Sequence, residues 1–141
     1  MVVYDIPCTG CHGKKGYIGE TTWNLEDRCG PPGGHSRDLK NIATKPRATA
    51  LVHHVATTQH QFDFNSKRVL KKVRHKGILK IHETNQILLH EKYAVNFKTD
   101  AEHVPPMFYN LLKQSERKER MVNKSKCKPR TSSLNNPKYK Y

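Results

Sequence analysis

Val2-Val3-Tyr4-Asp5-Ile6-Pro7-Cys8-Thr9-Gly10-Cys11-His12-Gly13-Lys14-Lys15-Gly16-Tyr17-Ile18-Gly19 is the stretch from which the rest of the chain takes its meaning. Residues 2–6 and 16–21 are short, largely apolar runs separated by a turn rich in glycine, so they predict two antiparallel strands. Each strand then carries one tyrosine, Tyr4 and Tyr17. The turn holds Cys8-x2-Cys11, a spacing that sets two thiolates on one tetrahedral metal. A CxxC in a small reduced protein serves zinc and redox chemistry about equally often, and the pair alone does not choose.

Histidines downstream bear on that choice. His54-x5-His60 starts within a predicted helix over 48–58, where Ala48, Leu51, Val52 and Val55 fall at helical spacing, and ends just past it. Two histidines about a turn and a half apart can complete a Cys2His2 set once a fold brings strand turn and helix end together. His12 and His53 sit beside Cys11 and His54 and are rival ligands. Four protein ligands would make such a zinc structural. Cys29 and Cys127 are left as unpaired bystanders.

The remaining pattern fills out an α/β domain. Thr22 is the candidate cap of a short helix through Leu25 and Arg28, stopped by Cys29-Gly30-Pro31-Pro32-Gly33-Gly34. Residues 68–73 read as a third strand at an exposed edge that lysines would protect. Residues 78–89 form the best helix candidate, with Ile78, Leu79, Ile81, Gln86, Leu88 and Leu89 as a mixed face. Residues 93–97 read as extended or irregular, and 107–112 as a segment packed on the core. Trp23, Phe62, Phe64, Phe108 and Tyr109 are assigned to packing.

Two tyrosines, Arg28, His35 and a lone Glu83 form a set suited to cleaving a phosphodiester. An arginine and one carboxylate-bound metal ion offset charge on phosphorus, and a tyrosine or histidine moves protons. The order of these residues resembles the GIY-YIG nuclease superfamily, and most nearly the endonuclease domain of Penelope-like retroelements. The likeness runs from about Val2 to Leu112. It includes Val3-to-Cys8 with Cys11, the Leu25-to-Arg28 spacing, Thr49-to-His54, His60-to-Phe64, Val95-Asn96, Thr99-Asp100 and Tyr109-to-Leu112. The first tripeptide is Val-Val-Tyr where the family has Gly-Ile-Tyr.

The resemblance implies a three-stranded antiparallel sheet flanked by helices, with a structural zinc on Cys8, Cys11, His54 and His60. It implies Tyr4, Tyr17, Arg28, His35 and Glu83 as catalytic, with Asn96 in support and Glu83 binding Mg²⁺. The function implied is nicking of DNA to expose a 3′-hydroxyl that primes reverse transcription. A reverse transcriptase domain of the parent polyprotein and a nuclear location belong to the same expectation. Six residues, Cys29 to Gly34, separate Arg28 from His35, more than family members have, an insertion that could displace His35 or mark a decayed copy and that bears on activity more than on fold. Simpler readings stand beside these roles: a solvated helix glutamate, a surface arginine near Glu26 and Asp27, and two half-buried strand tyrosines.

Charge is uneven. The chain of 141 residues carries a formal +14, and residues 113–141 hold ten Lys or Arg against two Glu. Residues 1–112 thus read as one domain and 113–141 as a disordered basic arm. Lys124, Lys126, Lys128 and Arg130 in that arm are candidate phosphate contacts, and Gly19 is a position for close backbone approach to DNA or to a neighbouring element. Basic chains most often meet nucleic acid. No run is long and apolar enough to span a bilayer and no signal segment is evident, so an intracellular chain is expected. The start at Met1, directly on the first strand, is consistent with a fragment or excised domain. A non-catalytic DNA-binding module and a basic zinc-knuckle RNA-binding protein are the rival functions.

Overall fold

The structure is a computed structural model that describes residues 1–102 and scattered positions between 105 and 118. Strands β1 (Val2–Pro7) and β2 (Gly16–Thr21) pair antiparallel, with Val2 opposite Thr21 and Pro7 opposite Gly16. Strand β3 (Arg68–Lys72) joins the other side of β1, giving the sheet order β2-β1-β3. Val3 pairs with Lys71 and Tyr4 with Val69, so Leu70 is an extra residue, a bulge that bends the edge strand.

Side chains alternate across β1 and β2 and divide the core in two. One face gathers Tyr4, Ile6, Cys8 and Tyr17 with Leu51 and Val52 of helix α3 (Ala50–Thr58). The other gathers Val3 and Ile18 with Leu79 and Ile87 of helix α4 (Leu79–Leu89). Short helices α1 (Leu25–Cys29) and α2 (Gly34–Lys40) lie between β2 and α3 in the chain. The fold is therefore a small α/β domain on a three-stranded antiparallel sheet.

Several expectations need correction. Helix α1 is capped by Asn24, whose Oδ1 accepts from the Glu26 N–H at 3.1 Å, and not by Thr22. Thr21 Oγ1 takes the Trp23 N–H, and this turn leads the chain out of β2 and leaves Asn24 at the helix start. Helix α3 starts at Ala50 because Thr49 caps it, bonding the Val52 N–H, and Ala48 stays exposed. Helix α4 buries Glu83, Thr84, Asn85 and Gln86 between Leu79 and Ile87, while Ile78 and Ile81 face outward. Its inner stripe is mostly polar, which apolar periodicity alone does not find.

Trp23 is 68% exposed, and Met107, Phe108 and Leu111 are also exposed rather than packed. Tyr109, Leu112, Cys127 and the basic positions Lys124, Lys126, Lys128 and Arg130 lie outside the described residues. Among the described residues no helix is long and apolar enough to cross a membrane.

Residues 93–96 run along the free edge of β2. Backbone bonds join Gly16 to Tyr93 and Val95, and Asn96 grips Ile18 with both amide atoms at 3.0 and 2.8 Å. The edge is thereby covered. Beneath this strap Asp5, fully buried, accepts from Tyr93 Oη at 2.5 Å and from the Arg68 guanidinium. A buried carboxylate needs such partners, and here they tie β1 to β3 and to the strap.

Candidate functional site

Two clusters share the Tyr4 face of the sheet. The first lies at its far end, where Cys8 closes β1. Segment 60–63 pairs beside 7–9: Thr9 N–H to Gln61 O at 2.9 Å, Asp63 N–H to Pro7 O at 2.9 Å. That pairing delivers His60 to the knuckle, while α3 delivers His54 from its middle. Sulfur-to-nitrogen separations are 3.4 and 3.7 Å from Cys8 to His54 Nε2 and His60 Nδ1, and 3.7 and 3.2 Å from Cys11 to the same atoms. Tetrahedral zinc with bonds of about 2.3 Å to sulfur and 2.0–2.1 Å to nitrogen requires edges of roughly 3.6 Å.

The four donor atoms lie within 4.8 Å of one another. This donor set fits structural zinc. Of the rival ligands, His53 stacks near Phe97, with centroids 5.5 Å apart, and His12 is exposed in the turn; neither joins the cluster. Burial, with the neighbouring His60 and Lys15, pushes His54 below the usual histidine range, which keeps its nitrogen free to bind metal.

The second cluster is centred on Tyr4. Its hydroxyl and His35 Nε2 are 2.6 Å apart, both residues fully enclosed. The Tyr17 ring meets His35 edge-on at 5.2 Å. Gly19 lies under both tyrosines: a Cβ there would come within 2.6 Å of Tyr4 Oη and 2.8 Å of Tyr17 Cε1. The close neighbour that Gly19 accommodates is thus internal.

His35 is not displaced by the insertion. Gly34 has a φ of +54°, and a Cβ on it would fall 1.9 Å from the Arg28 carbonyl oxygen. Only glycine lets the loop fold back tightly enough on α1 to start α2 and drive His35 into the core. Ser36 Oγ secures the return by donating to Cys29 O at 3.0 Å. Helix α2 itself was not legible, because its seven residues carry little apolar signal.

Electrostatics set the protonation states. Burial, aided by Arg28, pushes His35 down to about 3, so at neutral pH it is an uncharged ring. A neutral ring that accepts the Tyr4 proton at Nε2 carries its own at Nδ1, which has no partner among the described residues. Burial raises Tyr4, with Arg28 opposing, and raises Tyr17 likewise. His35 in this state supplies no positive charge to the tyrosines beside it. Glu83, 5% exposed, is not the solvated glutamate of the simpler reading. Burial raises its pKa while its ion pair with Lys80 opposes, and both tyrosines feel its charge. Arg28 is half-buried and Tyr17 is 8% exposed, while Tyr4 and His35 are fully enclosed.

Asn96, expected to support the glutamate helix, instead braces β2 beside Tyr17. The Asp5–Arg68–Tyr93 network was missed, although an aspartate inside Val3-Tyr4-Asp5-Ile6 is itself a sign of a buried, partnered acid. No family model, curated protein or solved structure matches the chain.

Proposed function

We propose that this domain is a GIY-YIG-type endonuclease, of the Penelope-like kind, that nicks DNA. The observation that carries the reading is the Tyr4–His35 hydrogen bond, with Tyr17 against the same ring and Arg28 and Glu83 in electrostatic reach of both tyrosines. Tyr4, Tyr17 and His35, far apart in sequence, meet in one enclosed cluster, and this supports the reading.

Arg28 takes the non-bridging oxygens of the scissile phosphate, a geometry suited to guanidinium. Water attacks phosphorus and the bond to the 3′-oxygen breaks, leaving a 5′-phosphate and a 3′-hydroxyl that is protonated from solvent. Tyr4 accepts the water proton as it passes its own to His35 Nε2. A phosphate arriving at Arg28 brings negative charge, which raises the basicity of His35 against the effects that now lower it.

Glu83 is the residue that would hold Mg²⁺. Its carboxylate already binds a cation, Lys80, whose side chain is 43% exposed and able to swing away. Mg²⁺ takes oxygen donors and keeps several waters, so one carboxylate plus phosphate oxygens is a sufficient set, and bound there it would offset the charge developing on phosphorus. A nuclear location and descent from a reverse-transcriptase polyprotein belong to the same proposal.

A second reading, a non-catalytic nucleic-acid-binding module, is favoured by the complete enclosure of Tyr4 and His35. Supercoiled plasmid in Mg²⁺ separates the two. The nuclease converts it to open circles whose nicks a polymerase extends, and Glu83→Ala or Tyr17→Phe stops the conversion. A parent chain that binds the plasmid yet leaves it supercoiled sinks the enzyme.

A further inference from the structure

Between Asp63 and Glu83 the chain has no acidic residue and seven Lys or Arg. Three are committed: Lys67 to Glu26 at 2.9 Å, Arg68 to Asp5, and Lys80 to Glu83. The other four, Lys71, Lys72, Arg74 and Lys76, are exposed and form no ion pair among the described residues. They follow one another along the last residues of β3 and the turn after it.

The sheet register says where this strip sits. Val2 faces Thr21 on one side and Lys72 on the other; Val3 faces Glu20 and Lys71. Adjacent strands are about 4.8 Å apart, so Thr21 and Lys72 lie roughly 10 Å from each other. Two residues beyond each, Trp23 and Arg74 leave the same end of the sheet, both exposed. Glu83 belongs to this end, since the Glu20 charge acts on it and the Lys71 charge acts on its neighbour His82.

We infer that this end of the sheet is a docking surface for duplex DNA, with Lys71, Lys72, Arg74 and Lys76 on backbone phosphates and Trp23 at the opposite margin. The inference rests on the nucleic-acid reading above and names the surface that would bring a phosphate to Glu83 and Arg28. Lys71 and Lys72 project to opposite faces of the strand, so the strip has breadth as well as length. From 71 to 76 the backbone covers up to about 16 Å at roughly 3.3 Å per residue. That is enough to reach phosphates on both sides of a major groove about 12 Å wide. A lipid surface would favour an apolar face among the cations, and between Lys71 and Lys76 the one apolar side chain, Val73, is buried.

The experiment is anisotropy of a labelled short duplex against the full, zinc-loaded chain over a salt series. Lys71→Gln/Lys72→Gln/Arg74→Gln/Lys76→Gln should reduce the slope of log affinity against log salt by about 3 to 4, near 0.9 for each phosphate no longer neutralised. Duplex should also quench the fluorescence of Trp23, the sole tryptophan. An unchanged slope overturns the inference, as does a slope that moves only with Lys124→Gln/Lys126→Gln/Lys128→Gln/Arg130→Gln. Losing affinity for anionic vesicles or single-stranded RNA, but not for duplex, overturns it equally. A parent that binds duplex through this strip without nicking leaves the surface standing and ends the nuclease reading; nicking with an unchanged slope does the reverse. A zinc-dependent melt of the fourfold variant checks that it is folded.

Discussion

The two clusters on the Tyr4 face solve the burial of polar groups in opposite ways. Around Cys8, two thiols and two imidazoles lie 3.2–3.7 Å apart, sulfur to nitrogen, an arrangement that fits a metal. Around Tyr4, the groups are already satisfied by each other or by Lys80, and one atom, His35 Nδ1, is left over. The first is closed, with four protein ligands and no open position. The second holds a buried polar atom without a partner among the described residues, an uncommon condition in a folded chain.

If that contrast is right, metal loss should be the largest single perturbation. Chelation, or Cys8→Ser, removes the link between the β1–β2 turn and α3, and zinc binding free energy is folding free energy, on the order of 10 kcal/mol in zinc fingers. Thermal melts with and without chelator should differ sharply, whereas His53→Ala should leave zinc affinity nearly intact. Indifference of the parent melt to chelation would break the comparison at its root.

The acid limb comes next. His35 titrates at 6.5 unfolded and about 3 folded, so below 6.5 the unfolded state binds the extra proton. Stability from this group is full above 6.5 and is lost as pH falls towards 3, by up to on the order of 5 kcal/mol. Urea midpoints of the zinc-loaded parent and His35→Gln, compared at each pH, cancel the metal contribution. The gap between them should change steadily from pH 6.5 downward, and a constant gap would place His35 in solvent.

The loop that installs His35 gives a sharper contrast within two residues. Gly34→Ala meets the Arg28 carbonyl in a left-handed backbone and should cost about 3 kcal/mol or more, while Gly33→Ala meets nothing within 4 Å and should cost under about 1. Denaturant unfolding of the two single variants measures this. Below the Gly34 effect comes Tyr4→Phe, which leaves His35 Nε2 buried without its hydroxyl partner and should cost roughly 1–3 kcal/mol. Its effect on zinc affinity should be negligible, and a large one would join the two clusters that the geometry keeps apart.

What the sequence disclosed follows the same division. Strand and metal signals are local and strong: β1, β2 and β3 fall within about a residue of their expected bounds, and CxxC with His-x5-His points to the cluster, although only the fold sets His12 and His53 aside. The tyrosine cluster depends on tertiary facts. Gly34 has meaning only once α1 and α2 fold against each other, and Glu83 is buried by a helix face that reads as polar. Trp23 looked like core because aromatic residues usually are. Nothing local says that the turn at Thr21 throws it outward.

The most direct test of the central claim is plasmid nicking by the zinc-loaded chain as Mg²⁺ is titrated, beside Glu83→Gln. The account expects cleavage to rise with Mg²⁺ in the parent and to vanish in Glu83→Gln, with zinc-dependent melts and duplex affinity retained in both. Equal duplex binding by parent and variant, with no Mg²⁺-dependent nick from either, would contradict it.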